Sequence, residues 1–340
     1  MARKTLKQLL DELAPGVKEA FEKSVANMRS DIQFEALIEA LANQDIEGAM
    51  RIIRLSAEYY APLDRAMRNA YEEGGDFFFD QWRAQAKRQR ANVTVGRFDG
   101  RSPRSEQFLR QQSSKMIVGD VPRDTIREIL RGNMEAGTSP RKAALDLAGR
   151  MNKVTGRREG GIIGLTDQQA GWVNNARMEL EGTPKTMEAF LQRKARDRRF
   201  DATIRKAIRE GRTLTPTEVN RMIGRYSDNL LQVRAEAIAR TELLSAMHEA
   251  QAEGLRQLIE RGEVRSDQIT QEWDASGDDD TRQSHRSMDG QKRKQGEPFV
   301  TGNGHLMLYP GDRSLGAPGS EIVQCRCRVS TDIDFLADLT

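Results

Sequence analysis

The stretch TLTPTEVNRMIGRYSDNLLQVRAEAIARTELLSAMHEAQAEGLRQLIERGE, Thr213 to Glu263, is the longest helical pattern in the chain. Thr215-Pro216 opens it, because proline at the first helical position gives up an N–H that would have no partner. Glu236 and Arg240 stand four apart, in the favourable order for an ion pair along a helix. Ile238, Glu242, Ala246 and Ala250 share one face. A glutamate among small apolar residues points to a polar contact with another segment, and Arg282 or Arg326 is the expected partner. Such a pair would fix whatever follows this helix onto it.

Upstream, the same periodicity recurs. DIQFEALIEALANQ places Ile32, Leu37, Ile38 and Leu41 near helical spacing, with Ser30 or Asp31 as the expected cap. DIEGAMRIIRLSAEYY steps through Ile46, Met50, Ile53 and Ala57. A third helix is expected from Pro62 through GGDFFFDQWRAQAKRQR, with a break or kink at Gly74-Gly75. Phe77, Phe78, Phe79 and Trp82 form the one aromatic cluster, read as a packing corner or as a docking patch. Residues 92 to 118 look irregular. Two short helices follow around EAGTSP, the first opened by Pro122 or Asp124 and the second by Thr138-Ser139-Pro140. Thr166 and Gln169 have the spacing of a capping box.

After about residue 270 the character changes: Gly, Pro, Asp and Ser become frequent, helical periodicity fades, and a small α+β segment is expected. The expected fold class is therefore mainly α, with elongated helical N-terminal and middle regions and a small α+β C-terminal module. The expected regions are 1–91, 92–215 and 216–340.

Composition agrees. Charged residues make up 31% and aromatics 6% of 340 residues, a bias toward solvated helices rather than sheet-rich cores. The 54 basic and 51 acidic residues nearly cancel, so net charge names no partner. No apolar run approaches the roughly 20 residues that span a bilayer. The basic N-terminus MARKTLKQLLDELAPG is interrupted by Lys7, Gln8, Asp11 and Glu12, unlike a signal peptide. Two cysteines exclude a disulfide scaffold and fit synthesis in a reducing cytoplasm.

Both cysteines lie in PGDRSLGAPGSEIVQCRC, Pro310 to Cys327. In extended chain, residues two apart project from one face, so Cys325 and Cys327 can reach one metal ion. His285 and His305 lie in the same turn-rich segment, and the four together make a zinc-type Cys2His2 set. Packing of the cysteines as small buried hydrophobes is the competing reading. Asp278, Asp279 and Asp280 precede His285. Carboxylates beside a histidine suit a metal-dependent nuclease using Asp279, Asp280 and His285, but aspartates after Gly277 equally suit a turn or cap. His248 reads as surface or core filler within a helix. No nucleophile–base pair stands at convincing spacing, so no catalytic residue is assigned.

RKARDRRFDATIRKAIREGR, Arg193 to Arg212, carries nine basic and three acidic residues. Arg193, Lys194, Arg196, Arg198 and Arg199 are its candidates for non-specific DNA contact through counterion release. Without interleaved aromatics or a recognition-helix pattern, sequence-specific binding is not implied, and a solvated helix face is an equal reading.

Taken in order, ARTE (Ala239–Glu242), Trp273, DTRQSH (Asp280–His285), Asp289-Gly290, Phe299, YPGD (Tyr309–Asp312), GAPGSE (Gly316–Glu321) and CRC resemble the phage head morphogenesis family typified by protein F of phage Mu. The resemblance covers roughly residues 220 to 332. The family pattern usually has Asn before the Cys-Arg-Cys, where Gln324 stands here. The resemblance implies a minor head protein of a tailed phage, made in the bacterial cytoplasm and carried in the virion. It implies portal, major capsid or scaffolding protein as partners, a possible part in DNA packaging or ejection, and no enzymatic activity. Glu242, Arg240, Arg282 and Trp273 are the expected structural contacts of the module, with Trp273, Phe299, Leu308, Tyr309 and Ile322 as its core.

Overall fold

The computed structural model describes residues 4–53, 57–118 and 123–337. In chain order the helices of the first half are α1 (Leu6–Ser30), α2 (Phe34–Ala42), α3 (Ile46–Ile53), α4 (Ala61–Gln89), α5 (Pro103–Val118), α6 (Arg123–Glu135) and α7 (Pro140–Ala148). A two-stranded ribbon, β1 (Arg150–Met151) with β2 (Arg158–Glu159), leads to α8 (Asp167–Glu181), α9 (Pro184–Phe190), α10 (Asp201–Glu210) and the 45-residue α11 (Pro216–Glu260). The C-terminal part holds β3 (Ile269–Asp274), α12 (Gln283–Arg286), β4 (Lys292–Lys294), β5 (Phe299–Val300), β6 (Leu306–Met307), α13 (Gly319–Ile322) and β7 (Arg328–Ile333). The fold is mainly α with a small α+β C-terminal part, as expected from periodicity.

Local chemistry explains where helices begin. At α11, Thr215 Oγ1 accepts from the Glu218 N–H at 3.2 Å while the Glu218 carboxylate accepts from the Thr215 N–H at 2.8 Å. Thr166 and Gln169 form the same reciprocal box at α8. Ser139 caps α7, with Pro140 following it. Three expectations need correction. Helix α1 continues through Ser30, and α2 starts after Gln33 with no side-chain cap, so Ser30 and Asp31 do not cap it. Helix α4 runs unbroken through Gly74-Gly75. These glycines serve close approach instead: a Cβ on Gly75 would lie 1.9 Å from the Phe98 ring. Residues 103–118 are helix α5, not irregular chain, because Ser102 Oγ accepts from the Ser105 N–H at 3.2 Å and Pro103 suits the first turn. Pro122 and the side chain of Ala57 fall outside the described residues.

The described chain divides into two compact units, each assembled from separated segments. The first comprises Met1–Glu19, Leu63–Ser113 and Glu236–Thr340; the second comprises Ala20–Pro62 and Ser114–Ala235. The linear regions 1–91, 92–215 and 216–340 follow chain order and do not coincide with these units.

In the first unit, α4 packs on the later part of α11. Phe78, Phe79 and Trp82 are buried, with Phe79 and Trp82 against Gly254 of α11. The aromatic cluster is thus a packing corner. Strands β4-β3-β7 form an antiparallel sheet in which Trp273 faces Val329 and Ile269 faces Ile333 across the β3–β7 register. Ile269, Gln271 and Trp273 alternate inward along β3, the period of two expected of a half-buried strand. One core joins Leu244 and Ala252 of α11 to Trp273, Met288, Phe299, Met307, Tyr309, Ile322, Val329 and both cysteines, with Leu308 packed partly against it.

In the second unit, the loop 160–164 is tied down by side chains. Arg29 donates to the carbonyls of Ile163 at 2.9 Å and Gly161 at 2.6 Å, Ser227 to Gly161 at 2.7 Å, and Arg234 to Gly164 at 2.8 Å. Gly160 has φ +78°, and a Cβ there would lie 2.6 Å from the Gly224 Cα. Its N–H donates to Asp228 at 2.7 Å.

Candidate functional site

Between the turn at Gln324 and the start of β7, burial alternates: both cysteines are buried while Arg326 faces out. The two sulfurs therefore share one side, as the Cys-x-Cys spacing requires. Helix α12 brings His285 to them. Its Nδ1 lies 3.5 Å from Cys325 Sγ and 3.4 Å from Cys327 Sγ. The three donor atoms lie within 4.8 Å of one another, the only such group of His, Cys, Asp or Glu among the described residues. All three side chains are enclosed, at 1%, 3% and 1% exposure for His285, Cys325 and Cys327.

Behind His285 stands Glu321 of α13. Its Oε2 is 3.1 Å from His285 Nε2 and accepts from Ser284 Oγ at 2.7 Å; its Oε1 accepts from Asn303 Nδ2 at 2.7 Å. Burial alone would raise the Glu321 carboxyl, but the hydrogen bonds from Ser284 and Asn303 and the nearby His285 hold it below the usual range. The Trp273 ring meets the His285 ring edge to face at 5.6 Å and walls off the site. Hydrogen bonding between the two sulfurs, with burial, pushes the Cys325 thiol up. The same bond, together with His285, draws Cys327 downward. A buried imidazole flanked by two sulfurs and backed by a fixed carboxylate can bind a soft divalent ion or pack as a thiol–imidazole core.

Other expected residues have other places. His305, in the β5–β6 turn, stays 40% exposed, with Nδ1 3.4 Å from Glu321 Oε1 and outside the sulfur group. The tight turn, closed by the Thr301 N–H donating to the His305 carbonyl at 2.9 Å, leaves it beside the carboxylate. Asp278 accepts from Thr281 Oγ1 at 2.8 Å and pairs with Arg326 at 2.6 Å, and Asp280 pairs with Arg326 at 2.9 Å. The bonds from Thr281 and Arg326 hold the Asp278 carboxyl below its usual range. The aspartates thus cap a turn and neutralise Arg326. Asp279 is exposed, and none of the three joins the group around His285.

Glu242 does anchor the C-terminal segment, through Arg313 at 3.0 Å rather than through Arg282 or Arg326. Arg282 instead donates to the Val323 carbonyl just ahead of the cysteines. Glu236 pairs with Lys18 at 2.9 Å, and Arg240 is exposed. His248 is fully buried, with Nδ1 3.2 Å from Gln251 Oε1; burial lowers it to about 4.

Residues 124–330 match the family model described as phage Mu protein F like protein, more than half of the chain. The chain belongs to the Mu F-like family. No curated protein and no solved structure matches it. Family membership makes it a phage head morphogenesis protein. The site of this Mu F-like protein is built from the family-pattern segments DTRQSH, GAPGSE and CRC, and Glu321, Ser284 and Asn303 are the members that the reading of single residues missed. Glu321 ends GAPGSE, so its signal was present as part of a motif without a role attached.

The geometry also explains the departure at Gln324. Its φ is +58°, a left-handed conformation that asparagine adopts more readily than glutamine. Its N–H donates to Thr241 Oγ1 at 3.0 Å, locking the turn onto α11. In this Mu F-like protein Gln324→Asn is expected to raise stability by about 0.5–1 kcal/mol. Paired denaturant curves check this, and an unchanged or lowered midpoint would contradict it.

Proposed function

We propose that this Mu F-like protein is a minor head protein that associates with the portal and procapsid during head assembly, in contact with portal and major capsid or scaffolding protein. In this reading it travels in the virion, assists DNA packaging or ejection, and performs no catalysis. The family match over residues 124–330 carries the reading. The enclosed His285, Cys325 and Cys327 side chains support the non-catalytic part, since a site sealed from solvent serves architecture better than turnover. The engagement of Asp278 and Asp280 by Arg326 likewise speaks against the metal-dependent nuclease. The test is mass-spectrometric quantification of this chain in purified particles, normalised to the portal protein. A few to a dozen copies per particle are expected. Absence from particles despite expression would overturn the virion assignment, and plasmid cleavage with Mg2+ by the purified chain would overturn the non-catalytic one.

A DNA-contacting role has its own observation, displaced from the expected residues. Arg193 pairs with Glu179 at 2.7 Å, Arg196 with Asp201 at 3.0 Å and Arg199 with Asp197 at 2.6 Å, leaving Lys194 and Arg198 as the exposed remainder. Arg221 and Arg225 instead stand exposed one turn apart on α11, a like-charge spacing that is unfavourable without an anion. They line an open cleft of about 580 Å³ together with Arg150, Arg199 and Phe200, facing Glu159 and Asp228. Arg221 lies over the Phe200 ring at 5.4 Å. In this reading the cleft tracks nucleic-acid phosphates. The Arg221→Gln/Arg225→Gln variant is expected to flatten the salt dependence of duplex binding by about two phosphate contacts. An unchanged slope would remove the cleft from any DNA path.

A further inference from the structure

We propose that His285, Cys325 and Cys327 are the ligands of a structural zinc ion that closes the C-terminal module. The inference goes beyond the head-assembly role and does not depend on it. It starts from a convergence that packing alone does not require. A single imidazole nitrogen has one lone pair or one proton and satisfies one thiol. Here Nδ1 of His285 has both sulfurs at nearly equal distance, 3.5 Å and 3.4 Å. With Zn–S bonds of about 2.3 Å and Zn–N of about 2.0–2.1 Å, the S-to-N edge of a tetrahedral site is about 3.5 Å. Both sulfur-to-nitrogen distances thus match an edge of such a polyhedron.

A second observation is independent of the first. The other ring nitrogen faces a carboxylate that is itself held, with Glu321 Oε2 at 3.1 Å from Nε2 and Ser284 and Asn303 bound to the same carboxylate. A metal-bound histidine characteristically presents its far N–H to a carboxylate, which fixes the tautomer and raises the basicity of the ligating nitrogen. His285 Nε2 is buried and, despite the short distance, lacks an aligned hydrogen bond. The ring's position is therefore set by the sulfur side. The ligand softness, two thiolates and one imidazole, selects zinc over calcium or magnesium. Among the described residues no fourth His, Cys, Asp or Glu joins the group, so an oxygen from water or backbone completes the tetrahedron.

A nucleophilic Cys–His–Glu triad would use the same residue types. It needs one sulfur and an open approach to it. Here two sulfurs share the base, and Trp273 with the surrounding core closes the approach. The position explains what the ion does. Helix α12, helix α13 and the segment just before β7 each contribute one part of the site, and these short elements have little regular hydrogen bonding of their own. Cross-linking them through one ion reinforces the small core that they share with α11.

The full-length chain, purified under reducing conditions without chelator, is expected to contain one zinc per chain by elemental mass spectrometry. Replacing zinc with cobalt should give the near-ultraviolet thiolate-to-cobalt charge-transfer band and the visible bands of a tetrahedral ion. Cys325→Ser/Cys327→Ser should abolish both. His305→Gln should change neither. Glu321→Gln should keep the cobalt spectrum while weakening zinc affinity about 10–100-fold, which a merely packing role for Glu321 would not do. Should the cysteine variant fail to fold, the wild-type chain decides: chelation should lower its melting temperature and added zinc should restore it. Protein that contains no zinc, shows no cobalt band and melts identically with chelator would overturn the proposal, leaving a thiol–imidazole packing core. Full zinc retention in the double cysteine variant would overturn the ligand assignment.

Discussion

Glu253→Gln is expected to cost about 3–5 kcal/mol, the range for breaking a buried ion pair from one side. The Glu253 side chain is fully buried on α11 and accepts from Ser102 Oγ at 2.8 Å, Arg104 Nε at 2.8 Å, Arg256 Nε at 3.0 Å and Gln257 Nε2 at 3.0 Å. The amide keeps one acceptor and turns donor protons toward two guanidiniums. All of these residues belong to one compact unit, so the loss falls on that unit. A shift in thermal midpoint of roughly 6–20 °C is the corresponding observable for a unit of this size. A shift below about 2 °C would show that Arg104 and Arg256 find solvent instead.

The same residue gives the protein an acid limit. Burial alone would raise the Glu253 carboxyl, but the hydrogen bonds from Arg104, Gln257, Arg256 and Ser102 overcome burial and hold it at about 2. The folded state therefore binds this proton more weakly than the unfolded chain, whose glutamates titrate near 4.3. Its contribution is complete above that unfolded value and disappears as pH falls from about 4.3 to about 2, a loss of about 3 kcal/mol. Stability curves between pH 6 and pH 2 should steepen in that window for the wild type and be flatter for Glu253→Gln. Parallel curves for the two proteins would refute the assignment.

Arg29→Ala should be comparably damaging in the other unit, about 3–5 kcal/mol. The guanidinium is 2% exposed and satisfies the carbonyls of Gly161 and Ile163, and its Nη1 lies 4.0 Å from Asp228 Oδ1. Burial lowers the Arg29 pKa to about 10, and the neighbouring Asp228 and Glu159 oppose that shift. Removing the side chain takes the donor from the Ile163 carbonyl, leaves that of Gly161 to Ser227, and removes the cation 4.0 Å from Asp228. Lysine should not rescue it, because a single ammonium cannot reproduce the planar fork that reaches two carbonyls at once. Limited proteolysis checks the location: cleavage should appear first around residues 149–164, which the guanidinium otherwise holds. Wild-type resistance in Arg29→Ala would show that Ser227 and Arg234 suffice for the loop.

The sequence alone determined where most helical segments lie, α5 excepted, and how several begin. Local rules decide these features: Pro140 and Pro216 at first turns, the Thr166–Gln169 box, and three- and four-residue apolar steps act within a few residues of chain. The same holds for the Cys325/Cys327 pair, since a period of two in extended chain is a local fact. The order of short motifs from Ala239 to Cys327 was also enough to indicate the family.

Tertiary structure decided which partners those residues meet. Gly74 and Gly75 read as a break because glycine is a poor helix former, yet α4 passes through them, and Gly75 makes room for Phe98. Arg193, Arg196 and Arg199 read as a basic surface because local charge counting does not see Glu179 or show which nearby acids are bound. Glu242 was recognised as an anchor, but its choice of Arg313 over Arg282 or Arg326 depends on the path of a turn-rich segment. Glu253 had no local signature at all, and Glu321 had only its place at the end of GAPGSE. A carboxylate becomes the back of a histidine, or the centre of a buried charge network, only when separate segments fold around it, and the free energy of that enclosure is a property of the assembled core.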